Sequence, residues 1–136
     1  MDRRLIEEKL ETLRRCVARI EGRCPDSAER LAADPDAQDI VALNLVRAVQ
    51  LCVDIASHIL AEADVPAPQT MGEAFDRLAA LGWINAETAD RLKKAVGFRN
   101  IAVHNYQTID WQVVHDIRSR HLSDFHDFAA AISRRL

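Results

Sequence analysis

Apolar residues alternate at steps of four and three in the opening segment, where Ile6, Leu10, Leu13, Val17 and Ile20 share one face of an α-helix that Gly22 is expected to end. The stretch from Pro25 to Ala33 adds a turn or two of helix, with Pro25 fixing its entry and Pro35 preventing simple continuation. A second long helix is predicted from Ala37 to Glu62, with Asp36 as N-cap and Pro66 and Pro68 closing the region behind it. Its apolar residues, among them Ile40, Val41, Leu45, Val49, Cys52 and Ile59, occupy more than one face. A surface helix of a small bundle needs only one apolar stripe. Two explanations stay open: a second copy of the chain covers the extra face, or the helix is enclosed by its own bundle.

Thr70-Met71-Gly72-Glu73 fits a capping box, in which hydroxyl and carboxylate each satisfy an unpaired amide at a helix start. The third helix that follows turns Phe75, Leu78, Ala79 and Leu81 inward and stops near Gly82, after which Trp83 and Ile84 close the core. Asn85 caps a fourth helix with Ala89, Leu92, Val96 and Val103 at helical spacing. A fifth begins near Asp110 and carries Val114, Ile117, Phe125, Phe128 and Ile132 on one stripe. The expected architecture is all-α: one antiparallel bundle of about five helices formed by residues 1–136 as a single domain.

Composition agrees with this pattern. Twenty-one alanines against 4 Gly and 4 Pro favour helix and exclude an all-β sandwich. The net charge of -3 argues against a protein that coats nucleic acid or anionic lipid through bulk positive charge, so any nucleic-acid contact must be local. Cys16, Cys24 and Cys52 have neither paired nor metal-ligand spacing, which speaks against a disulfide framework or zinc site and fits a reducing cytoplasm. The charged N-terminus reads as neither signal nor anchor, and no run reaches the ~18 consecutive apolar residues that a membrane span requires. His115, His121 and His126 lie at scattered angles on one helix, so no metal site is expected. His121, beside the Ile117/Phe125 stripe, reads as a partly buried packing residue. Arg118, Arg120, Arg134 and Arg135 read first as a solvated face that can also help hold an anionic partner.

The candidate chemistry lies at the end of the fourth helix, in Arg99-Asn100-Ile101-Ala102-Val103-His104-Asn105-Tyr106. The Arg/His spacing alone is weak, expected by chance about half a time in a chain this rich in arginine. The sole tyrosine of the chain, two residues after His104, makes the pattern specific. On an unbroken helix Arg99 and His104 stand about 140° apart and His104 and Tyr106 on nearly opposite sides. A joint site therefore needs the helix to end close to His104, with Gln107-Thr108-Ile109 turning the chain. Taken alone, Tyr106 reads more readily as a ring packed at a helix end with its hydroxyl in water, and the motif context reverses that preference. On the second helix, Arg47, Gln50, Asp54 and His58 form a polar stripe. It either faces a cleft, with Asp54 orienting Arg99 or His104, or is a solvated face holding an Asp54/His58 pair.

This motif, the run Asn44 to Leu60 on the second helix, and the connection from Val65-Pro66 to Thr70-Met71-Gly72-Glu73-Ala74-Phe75 together resemble HEPN domains. The resemblance is specifically to the HepT-like ribonuclease toxins that pair with MNT-type minimal nucleotidyltransferases. It covers nearly the whole chain, and the motif is intact, since Asn105 occupies a variable position. The resemblance implies a homodimer that cleaves RNA without metal or cofactor, with Arg99 and His104 catalytic and Asn100, Asn105 and Asp54 supporting. It implies that Tyr106 is modified with AMP by a partner nucleotidyltransferase, which silences the toxin. The chemistry suits the residue types, because imidazole titrates near neutrality and guanidinium matches phosphate geometry. A base takes the 2′-hydroxyl proton while a cation stabilises the phosphoryl oxygens, leaving a 2′,3′-cyclic phosphate. The competing reading is a non-catalytic helical adaptor that docks a nucleotidyltransferase or holds a nucleotide in the same basic cleft. It predicts complex formation without RNA cleavage.

Overall fold

The computed structural model describes residues 1–136 as seven α-helices and one 3-10 turn. In chain order these are α1 (Arg3–Arg23), α2 (Ala28–Ala32), α3 (Pro35–Ala61), α4 (Met71–Ala80), α5 (Ala86–His104), the 3-10 turn Tyr106–Thr108, α6 (Trp111–Arg120) and α7 (Leu122–Arg134). The all-α bundle has more elements than the expected five, because α2 forms as a separate turn and the last helix is broken in two.

The first long helix runs one residue past Gly22, to Arg23. The α3 start also differs from expectation. Asp34, not Asp36, is the N-cap, its carboxylate accepting from the Ala37 amide at 3.1 Å. Pro35 does not block the helix but opens it, since its fixed φ suits the first helical position, where no intrahelical N–H is needed. Asp36 falls inside the first turn, where a carboxylate favours the helix dipole.

Helix α3 packs against α1, α2, α4, α5 and α7. It runs antiparallel to α1, as the pairs of the Met1 amino group with Glu62 and of Lys9 with Asp54 record. Of the two explanations for its apolar faces, enclosure is the one seen: Val41, Leu45, Val49, Cys52, Ile55 and Ile59 are all buried within one chain. Leu43 is the single large apolar residue of α3 left exposed. This helix has the length and composition to cross a membrane, but 56% of its most apolar window is buried inside the bundle. That apolar surface is already covered by the protein itself.

The core closes where α4 and α7 meet α3. Phe75 and Phe128, both fully buried, stack edge to face at 6.1 Å. Thr70 caps α4, its hydroxyl accepting from the Glu73 amide at 3.1 Å, while the Glu73 carboxylate accepts from the amide of Gln69, one residue before the expected partner. Thr70→Ala should lower unfolding free energy by about 1 kcal/mol, measurable by urea titration. The C-terminus of α4 is a Schellman turn, with Trp83 N–H bonded to the Leu78 carbonyl at 3.1 Å and Gly82 N–H to Ala79 at 2.9 Å. Gly82 takes a φ of 81°, open to glycine at little cost. The turn directs Leu81 partly outward rather than into the core.

The break between α6 and α7 falls at His121, which leaves helical geometry with a φ of -122°. A straight continuation would have carried this polar ring on the buried stripe four residues after Ile117. The bend buries Leu122 instead and leaves His121 exposed, beside the Asp124 carboxylate at 3.4 Å. The expectation of a packed His121 is thus corrected.

Candidate active site

Helix α5 ends at His104, the residue at which the motif requires it to loosen. The Asn105 amide still bonds the Ile101 carbonyl at 2.8 Å, but its backbone, at φ -152° and ψ 57°, no longer continues the helix. The next residues wind into the 3-10 turn, which Thr108 closes by donating from both its amide (3.0 Å) and its hydroxyl (2.8 Å) to the Asn105 carbonyl. Ile109 then plugs into the core and Asp110 caps α6 through the Gln112 amide at 2.9 Å. A buried anchor and a new cap therefore stop α5 from extending.

Arg99 is half-buried against the bundle. Its Nη1 donates to Asn100 Oδ1 at 3.1 Å, its buried Nε has no partner, and no carboxylate lies within ion-pair distance. The guanidinium is thus a positive charge without a neutralising neighbour. His104 is exposed and no hydrogen bond within the chain engages its ring. Both residues are still helical, so their Cα–Cβ bonds leave the axis about 140° apart. A single chain offers an anion-binding group and a proton acceptor on separate sides of one helix end. Asn105 contributes its backbone to the turn, and Asn100 is the direct partner of Arg99.

Tyr106 is held from two directions. Its hydroxyl donates to Asp39 Oδ1 at 2.6 Å, and its ring meets Trp111 edge to face at 5.9 Å. Partial burial, followed by the Asp39 hydrogen bond and charge, pushes the phenol up to about 12. An unfolded chain would release this proton near pH 10, so stability falls as pH rises between about 10 and 12.

Asp39, which the sequence did not single out, lies beside the motif, and Asp54 does not. Asp54 accepts from Gln50 Nε2 at 3.0 Å and lies 3.7 Å from Lys9 Nζ on α1. It contacts neither Arg99 nor His104, and no Asp54/His58 pair forms. The reason is axial distance: fifteen residues of α3 separate it from Asp39, about 22 Å of helix. The polar stripe of α3 does reach the motif, but at its other end. Four residues before Arg47 the stripe passes over exposed Leu43, and four before that it arrives at Asp39. An apolar side chain in the middle of the row hides the signal. The other histidines serve local contacts: His115 Nε2 donates to the Pro25 carbonyl at 3.2 Å, and His126 lies 3.5 Å from Glu21.

An apolar groove of about 380 Å³ opens between α3, α5, α6 and α7, lined by Leu45, Val49, Phe98, Ile101, Val113 and Ile117. Ile101, Val103 and Val113 are each close to half exposed. Exposed apolar side chains therefore surround the end of α5. Val103, expected to pack inward, belongs to this exposed set although it continues the side of α5 that buries Leu92 and Val96.

The family described as Ribonuclease HepT-like matches residues 9–132. The mRNA nuclease HepT of Shewanella oneidensis is 38% identical over 128 residues, 94% of this chain and 96% of that protein. A solved structure of the tri-AMPylated Shewanella oneidensis HEPN toxin in complex with MNT antitoxin is similar with a TM-score of 0.90 at 37% identity, covering 98% of this chain and 99% of that one. A crystal structure of a toxin–antitoxin with AMP-PNP is similar with a TM-score of 0.89 at 37% identity, covering 95% and 97%. Over nearly its whole length, and with the Arg99/His104/Tyr106 motif at the end of α5, this chain belongs to the Ribonuclease HepT-like family of HEPN domains.

Proposed function

We propose that this protein is the ribonuclease toxin of a toxin–antitoxin pair, acting on RNA in the cytoplasm and silenced when an MNT-type nucleotidyltransferase antitoxin attaches one or more AMP groups to Tyr106. The observation that carries the catalytic reading is the unpaired guanidinium of Arg99 on the same helix end as the free imidazole of His104. His104 takes the proton from the ribose 2′-hydroxyl, which attacks the adjacent phosphorus. Arg99 binds the phosphoryl oxygens as their charge grows. The leaving 5′ oxygen needs a proton, and each motif holds one histidine. Two chains facing each other across the end of α5 supply a second His104 and a second Arg99 to one cleft. The dimer is thus part of the mechanism. All three cysteines are free and buried, in keeping with a reducing compartment.

AMP on the Tyr106 oxygen adds bulk and negative charge close to the helix end where an RNA backbone has to lie, and it competes for Arg99. The tri-AMPylated state of the Shewanella toxin in its MNT complex supports this for the present chain. The test is cleavage of RNA by the purified chain in excess chelator, with analysis of the new ends. Fragments ending in 2′,3′-cyclic phosphate are expected. Tight binding of the antitoxin with no cleavage in any buffer would favour the adaptor reading, and cleavage abolished by chelator would contradict the metal-free mechanism.

A further inference from the structure

The contact between Tyr106 and Asp39 joins the first turns of α3 to the turn after α5, across 67 residues of sequence. The RNA-cleaving chemistry does not use it. A surface tyrosine needs no carboxylate, and this carboxylate has no other occupation: no Lys, Arg or His pairs with Asp39, and Tyr106 is its one hydrogen-bond partner. Its charge is left free to act on the phenol. At 2.6 Å, and with the hydroxyl as donor, the phenolic proton already points at a carboxylate oxygen. The Trp111 ring, edge-on at 5.9 Å, holds the phenol in that pose.

Resting on the reading of Tyr106 as the nucleotidylated residue, we infer that Asp39 is the general base, supplied by the toxin itself, for that modification. The phenolic oxygen uses a lone pair to form a bond to the α-phosphorus of a nucleoside triphosphate held by the partner. The bond from that phosphorus to the bridging oxygen of the β-phosphate breaks, and pyrophosphate leaves with its electrons. The phenolic proton passes to Asp39 Oδ1 and then to water. A free phenol is too weak a nucleophile at neutral pH, and Tyr106 is held more firmly protonated than most, so transfer without a base would be slow. Once the ester has formed, the oxygen has no proton to donate and Asp39 faces a phosphodiester charge. The contact turns from attractive to repulsive, and the modified side chain leaves it, swinging the nucleotide clear of α3. The target thereby takes part in its own silencing.

The experiment measures initial rates of labelled-nucleotide incorporation from ATP by the partner nucleotidyltransferase into the unaltered chain, Asp39→Asn, Asp39→Glu and Tyr106→Phe between pH 6.5 and 9. Asp39 is exposed, and melting curves establish that the variants are folded. Asp39→Asn should be labelled about 10²-fold more slowly near pH 7. Its rate should climb about tenfold per pH unit, as a reaction through free phenolate demands, while the unaltered chain stays flat. Asp39→Glu, which restores a carboxylate, should recover most of the rate. Because Tyr106 is the sole tyrosine, its ionisation is also readable directly by ultraviolet titration, where Asp39→Asn should bring the midpoint from about 12 down towards 10. An Asn variant labelled at the unaltered rate with the same pH profile would overturn the inference. So would equal losses in Asn and Glu with no change of profile. A wild-type chain that takes no label, or a Tyr106→Phe chain that does, would instead overturn the reading of Tyr106 and the inference with it.

Discussion

Replacing His104 with alanine should lower the rate of RNA cleavage by about 10²–10⁴-fold while leaving the melting temperature nearly unchanged. The two halves of this expectation have one cause. The imidazole is exposed and makes no hydrogen bond in the chain, so its removal costs the fold little. The same freedom leaves its ring nitrogens available to a ribose hydroxyl. Arg99→Ala should cost about 10²–10³-fold, the usual effect of removing one group that stabilises developing anionic charge. Arg99→Lys should restore only part of this loss, because an ammonium keeps the charge but not the planar fork that matches a phosphate. Single-turnover cleavage of a labelled RNA, run beside thermal melts of each variant, checks both. Full activity in either alanine variant would remove that residue from the mechanism.

The second large effect falls on stability. Phe128→Ala should destabilise the fold by about 3–5 kcal/mol, measured as a lowered urea midpoint. The ring is fully buried and meets Phe75 edge to face, so truncation loses transfer energy and an aromatic contact and leaves a cavity. Domains of this size have about 5–15 kcal/mol in all, so the variant should sit near the edge of folding. A loss under about 1 kcal/mol would mean that α7 is not clamped to α4 as described.

Local chemistry was legible and distant contact was not. Thr70, Asn85 and Asp110 cap the helices they were expected to cap, because a cap is decided by a side chain and an amide two or three residues away. The end of α5 at His104 was legible for a related reason: a motif on one helix constrains where that helix stops. The start of α3 was displaced by two residues because Pro35 can block a helix or open one, and the choice depends on which aspartate caps it. The bend at His121 needed knowledge of what the stripe packs against. The exchange of Asp54 for Asp39 is the clearest case. Both are acidic residues on the polar row of α3, and only the antiparallel packing of α3 on its neighbours, with Asp39 set beside Tyr106, tells which end of that row meets the motif. Arg99 and His104 stood out as candidates only once the sole tyrosine completed their motif, whereas the absence of any carboxylate beside Arg99 could only be seen in the fold.

The claim on which the nuclease reading rests is that two chains build one cleft. Particles assembled from one unaltered chain and one chain carrying both Arg99→Ala and His104→Ala, isolated through two different affinity tags, test it directly. A composite cleft predicts RNA cleavage below about a tenth of the unaltered dimer, because the sole histidine left cannot serve as both base and acid. Two self-sufficient sites would give about half of the unaltered activity, and that result would contradict the account.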